Sequence, residues 1–161
     1  DSVGGLVEGV IVGLPAGLGD PVFDSVESRL SSLLYGIPAV KGVSFGSGFR
    51  SAGMYGSSNN DEMVMENGDV RYLSNHAGGI LGGLTTGEPV VFTVAFRPTP
   101  SIKRTQKTLD LEKQETIEYS VGGRHDPCIV PRAVPVVEAA AALLALDLLH
   151  DRRVVFDERN N

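Results

Sequence analysis

A single cysteine, Cys128, stands in 161 residues, which rules out an internal disulfide and fits a reducing compartment. No unbroken apolar run reaches the roughly 20 residues that span a bilayer, and no charged leader precedes a short apolar stretch. The expectation is a cytoplasmic protein with no membrane partner. Cations are in deficit: 14 Lys and Arg against 20 Asp and Glu leave a net charge of −6, which argues against a nucleic-acid binder with its broad basic face. No segment repeats at a period of about twenty to fifty residues. His76 and His125 have no third ligand at metal spacing, so no metal site is expected.

Apolar residues at 42% and charged residues at 21% are ordinary for a globular chain, but 20 glycines far exceed the usual share of about 7%. Much of the backbone must turn or lie close to something. The length suits one domain, expected over 1–154, followed by a flexible polar tail over 155–161. Asp1 opens the chain inside a strand-like pattern, and the expectation is a piece of a longer polypeptide. Arg97, Lys103, Arg104 and Lys107 follow one another with no acid between them. A cationic patch on an acidic chain suggests a small anionic ligand.

"GLVEGVIVG" has strand composition, closed by Pro15 and Gly17. Asp20 as N-cap, Pro21 in the first turn and Gly36 at the end predict a helix, with Val22, Val26, Leu30 and Leu33 at helical spacing. "IPAVKGVSF" leads into a second strand, and residues 46 to 73 read as mobile and solvent-facing, with a hairpin at Asn67-Gly68. "PVVFTVAF" alternates, setting Phe92, Val94 and Phe96 on one face. "TLDLEKQETIEYSV" predicts another hairpin. From Ala133 the chain is Ala- and Leu-rich and helical, apolar on nearly every side, so this helix is expected between layers. Short hairpin links and few crossovers give an α+β class, antiparallel sheets packed on a central layer of buried helices.

Three stretches carry more polar chemistry than a core needs. "SNHAGGILGG" has glycines that let a ligand lie against backbone N–H groups, although taken alone it reads first as a tightly packed flexible loop. "RPTPSI" offers donors on a proline-stiffened strand exit, where a solvated turn is the plainer reading. "GGRHDPCIVPRAVP" sets Arg124, His125, Asp126 and Cys128 ahead of the apolar helix, where the helix dipole favours anions. Cys128 reads as a packed thiol.

Together and in this order, these stretches resemble the C-terminal half of chorismate synthases, as do "DSVGG", "GLGDPVFD" and "AVKGV". The resemblance implies a chorismate-synthase-like fold. It also implies a reaction: 1,4-elimination of phosphate from 5-enolpyruvylshikimate 3-phosphate to give chorismate, with reduced FMN required. By that resemblance Pro38, Ala39 and Gly82 line the flavin, while Arg97, Pro98, Thr99, Pro100 and Ser101 hold it, Arg97 standing where most members have lysine. Arg124 contacts the flavin, Asp126 influences its protons, and Arg132 meets substrate or phosphate. The family's amino-terminal Gly-Glu-Ser-His-Gly motif is not among these 161 residues. The resemblance therefore implies a missing N-terminal half as partner, a fragment inactive alone, and a homotetrameric parent. The alternative is a non-catalytic anion- or flavin-binding or assembly module of the same fold.

Overall fold

The computed structural model describes residues 1–159, with side chains through Arg152. The expected tail over 155–161 lies outside the described side chains. In chain order the elements are β1 (Gly5–Ile11), α1 (Val26–Tyr35), β2 (Val40–Phe45), a 3-10 turn (Gly48–Gly53), α2 (Gly56–Asn59), β3 (Met63–Glu66), β4 (Asp69–Tyr72), β5 (Ile80–Leu81), β6 (Leu84–Thr85), β7 (Val90–Phe96), β8 (Gln106–Asp110), β9 (Glu115–Tyr119) and α3 (Val130–Arg159).

Strand β7 is the centre, with β1 and β2 antiparallel on its two sides. Its alternation has a direct outcome: Val90, Phe92, Val94 and Phe96 are buried, while Val91, Thr93 and Ala95 turn to the other, partly open face. The register places Gly5 and Val40 opposite Phe96, and Ile11 opposite Val90. Three two-stranded hairpins complete the α+β class: β3 with β4, β5 with β6, and β8 with β9.

Helix α1 starts later than its sequence suggests. The cap is Ser25, whose hydroxyl accepts from the Ser28 amide at 3.1 Å, and not Asp20. Gly19 bridges Leu84, and the Val26 amide donates to the Gly83 carbonyl at 3.0 Å, so residues 19 to 24 follow the β5–β6 hairpin instead of coiling. The buried stripe is then Val26, Leu30 and Leu34, with Leu33 outside it.

Helix α3 begins at Val130 and takes Pro135 within its first turns, where only the Pro131 carbonyl loses its intrahelical donor. One stripe is buried: Ala133, Val137, Ala140, Leu144 and Leu148 pack with α1 on the inner face of the sheet. Each fully buried leucine contributes about 1.5–3 kcal/mol. Arg29 ties the two helices, donating to Asp151 at 2.7 Å and Asp147 at 3.3 Å. The hydrogen bond to Asp151 leads in holding its guanidinium above the ordinary value. Among the described residues no layer covers the other side of α3: Leu143 is 58% and Leu146 66% exposed. Val130–Arg152 is also long and apolar enough to cross a membrane by length and composition, its most apolar 18-residue window having a mean hydropathy of 1.7.

Candidate functional site

The end of the sheet marked by Gly5, Val40 and Phe96 gathers most of the residues expected at a ligand site. The Arg97 amide donates to the Ala39 carbonyl at 3.0 Å, so Pro38 and Ala39 sit beside the strand exit that carries Arg97 to Ser101. The first residues of the chain stitch this exit to the loop before α3. Ser2 donates from its hydroxyl to the Thr99 carbonyl at 2.6 Å, and the Val3 amide donates to the Pro127 carbonyl at 2.8 Å.

The β8–β9 hairpin leaves and returns at the same end. Ser120 Oγ donates to the Lys103 carbonyl at 3.0 Å, which closes the excursion and brings His125 to Pro127 back beside Ser101. A cavity of about 140 Å³ lies between, lined by Ser2, Ser101, Lys103, His125 and Asp126 among others. At its rim Arg132 donates to Asp126 Oδ2 at 2.7 Å. Arg97 and Arg124 are exposed and form no ion pair among the described residues. Thr99 Oγ1 is buried without a hydrogen-bond partner. A buried hydroxyl in that condition costs stability unless something else engages it. Unpaired guanidinium groups and an orphaned hydroxyl suit a phosphate-bearing ligand such as FMN.

Gly82 is elsewhere. It forms the β5–β6 turn with Gly83, both at positive φ (60° and 86°), as a two-residue hairpin of that kind demands. Gly78 and Gly79 hold this hairpin to the Val90 end of β7: the Val91 amide donates to the Gly78 carbonyl at 3.1 Å and the Thr86 amide to that of Gly79 at 3.0 Å. The seven residues of β7 span about 20 Å at strand rise and separate this hairpin from Arg97. The structure therefore sets Pro38 and Ala39 beside Arg97, and Ser101 beside His125 and Asp126, while the segment leading to the Gly82 turn is tied to the other end of β7.

A second polar cluster lies at the Gly82 end, and sequence reasoning did not find it. Asp61 accepts from Ser74 Oγ at 2.6 Å, the His76 amide at 2.7 Å and the Ala77 amide at 2.8 Å. Burial pushes its carboxyl up, but these three donors outweigh burial and hold it below the ordinary value. Ser47, buried, lies 3.0 Å from His76 Nδ1 and donates its amide to the His76 carbonyl at 2.8 Å. Gly46 beside it is obligatory, since a side chain there would overlap the His76 carbonyl and the Gly78 amide. A cavity of about 330 Å³ opens here, lined by Asp61, Asn75, Ala77, Leu81 and Thr86 among others. The stretch from 46 to 73, expected to face solvent throughout, thus supplies two anchors of the glycine segment. No local pattern marks Asp61, because its partners stand 13 to 16 residues on.

Comparison with known proteins gives a consistent picture. A family model described as chorismate synthase matches residues 1–149. The chorismate synthase of Archaeoglobus fulgidus is 56% identical over 149 residues, covering 92% of this chain and 41% of that protein. That of Korarchaeum cryptofilum is 52% identical over 147 residues, with 91% and 41% covered. A chorismate synthase crystal structure superposes with a TM-score of 0.75 at 30% identity, over 94% of this chain and 38% of that one. The chain spans about two fifths of the length of the curated relatives it matches.

Proposed function

The chain belongs to the chorismate synthase family, and from that premise we propose that it supplies the flavin- and phosphate-facing part of a cytoplasmic chorismate synthase. The full-length polypeptide, in this reading, is a lyase of aromatic amino acid biosynthesis. It eliminates phosphate from 5-enolpyruvylshikimate 3-phosphate in a 1,4 sense and assembles as a homotetramer. Reduced FMN, when bound, lends electron density to the allylic system as the C–O bond weakens.

The residues of this chain bind and orient. Arg97 and Arg124 neutralise phosphate charge, Ser101 and, as the loop adjusts to ligand, Thr99 donate hydroxyl hydrogen bonds, and Pro98 and Pro100 limit the loop's freedom. Ala39 is held against this loop by the Arg97 amide and lines the ring. Asp126, oriented by Arg132, faces the reacting centre and accepts or returns a proton there. Gly82, at the far end of β7, reaches a flavin only along the sheet or from another subunit of the assembly.

One observation carries the reading: the buried Thr99 hydroxyl has no hydrogen-bond partner in a loop where Arg97 forms no ion pair among the described residues. The apolar outer side of α3 and the matched share of the relatives' length support a parent in which further polypeptide covers that side. The buried stripe of α3 and its ion pairs to Arg29 favour a core helix over a membrane span.

Phosphate release from the enolpyruvyl substrate under anaerobic conditions with reduced FMN tests the proposal. The full-length polypeptide is expected to turn over and the 161-residue chain alone is not. Turnover by the chain alone, or none by the full-length polypeptide, contradicts it.

A further inference from the structure

We propose that the free edge of β1 is an interface at which two copies of this chain join their sheets, β1 against β1 in an antiparallel pairing centred on Gly9. The proposal rests on geometry alone and stands apart from the function proposed above.

The central sheet ends in two unlike edges. β2 carries the devices that blunt an edge, an exposed lysine at Lys41 and a register break between Val40 and Gly42. β1 has neither over its seven residues, and among the described residues no strand lies along its other side. Leu6 and Val10, with Val12 just beyond, are exposed apolar side chains on the face turned from the helices. An edge that is long, apolar and unblunted is a template for another strand.

Beneath this edge runs a trough of about 350 Å³ between β1 and α3, lined by Val7, Gly9, Ile11, Phe92, Val134 and Ala141 among others. Gly9 has no room for a side chain, because a Cβ there would run into the Phe92 ring. A strand laid beside β1 sets its inward side chains into the trough and against that ring.

Register and charge identify the occupant. A two-fold pairing of β1 with itself is centred on one residue, and each centre fixes every partner. Centred on Val7, it needs Val3, whose amide already donates to the Pro127 carbonyl at 2.8 Å. Centred on Glu8, it sets that carboxylate directly opposite its own copy, which is unfavourable. Gly13, at a φ of 81°, turns the chain away after Val12, so a centre at Val10 pairs only Glu8 to Val12. The centre at Gly9 pairs Leu6 to Val12 in full. Leu6 then faces Val12, Val7 faces Ile11, Glu8 faces Val10, and the two glycines meet with a Phe92 ring against each. Apolar residues meet on both faces, and the exposed Glu8 carboxylates stand apart on a diagonal. The edge fits its own sequence, which makes a second copy the occupant.

Sedimentation equilibrium of the 161-residue chain tests this. Its mass is expected to rise with concentration from 17.0 kDa to twice that value. Leu6→Lys/Val12→Lys sets lysines directly opposite lysines and is expected to weaken association at least about tenfold. Leu6→Lys/Val12→Glu sets opposite charges in the same places and is expected to restore it. Both positions are exposed, so the fold is spared. Hydrogen exchange reads the edge without any substitution: β1 amides are expected to gain protection as concentration rises, and β2 amides are not. A chain that stays monomeric overturns the proposal, as does a Lys/Lys variant that associates like the unsubstituted chain, or a Lys/Glu variant no stronger than Lys/Lys. Full-length polypeptide whose assembly is unchanged by Leu6→Lys/Val12→Lys would assign the edge to further polypeptide of the same subunit, and also overturns it. Phosphate release and FMN binding decide the proposed function separately.

Discussion

Arg132 donates to Asp126 Oδ2 at 2.7 Å, joining the first turn of α3 to the loop before it and a residue expected to meet substrate or phosphate to one expected to influence the flavin's protons. Both side chains are largely solvated, 78% and 41% exposed, and an ion pair of that kind stabilises a fold by at most about 1 kcal/mol. Its value is then orientation. Arg132→Gln is expected to leave the unfolding free energy within about 1 kcal/mol of the parent and to slow phosphate release by the full-length polypeptide about tenfold or more. A rate equal to the parent's reduces the pair to a surface contact.

Thr99 allows stability and binding to be separated. Its buried hydroxyl has no partner, so Thr99→Val removes a polar group that the folded chain does not use. The substitution is expected to be neutral or to stabilise the chain, by up to about 1–3 kcal/mol in chemical denaturation. FMN affinity of the full-length polypeptide should fall about tenfold, the equivalent of one lost hydrogen bond to a charged group. Destabilisation would show that the hydroxyl has a structural partner after all.

Asp61 gives a pH dependence with a definite sign. Its carboxyl is held below the ordinary value of 3.8, so its contribution to stability is complete above that value and disappears as pH falls through the lower folded value. Wild type is therefore expected to lose stability in acid below about pH 4 more steeply than Asp61→Asn. Parallel curves for the two proteins in urea titrations at pH 2 to 5 would remove the carboxylate from the account.

Two leucines two residues apart on α3 test its one-sided packing. Leu144 is fully buried and Leu146 is 66% exposed. Leu144→Ala should cost about 2–5 kcal/mol, and Leu146→Ala no more than about 0.5 kcal/mol in the isolated chain. Equal losses would mean that both sides of α3 are covered in solution.

Much of the frame was legible in the residues. The alternation of "PVVFTVAF" marked β7 and its buried face, and Asn67-Gly68 marked the β3–β4 turn, because strand pleat and positive φ are local demands. The start of α1 was not legible. Asp20 and Pro21 have the composition of a helix start, but the Gly83 carbonyl and the bridge from Gly19 to Leu84 pull the chain the other way. That contest is tertiary, and no local spacing records it. The β5–β6 turn at Gly82-Gly83 does carry a local signal, two adjacent glycines between two-residue strands, where the sequence alone suggests a tightly packed loop or a place for ligand.

The candidate site divides in the same manner. Arg97, Thr99, Arg124 and Asp126 are candidates by residue type and motif, and the return of the 125–127 loop to Ser101 follows from the β8–β9 hairpin, which local spacing does announce. The roles of Ser2, Ser47 and Asp61 were not found, since each acts on backbone groups distant in sequence. Apolar residues on nearly every side of α3 imply a place between layers, and the described residues cover only one side of it.

The central claim is that the sheet end carrying Arg97 and Arg124 receives a phosphate-bearing flavin. Titrating FMN into the full-length polypeptide, with the phosphorylated enolpyruvyl substrate present, tests it most directly. The account predicts measurable binding that weakens about a hundredfold or more in Arg97→Ala/Arg124→Ala, as two charge-assisted contacts are lost. Binding of equal strength in the double variant, with its fold intact, would place the flavin elsewhere on the molecule.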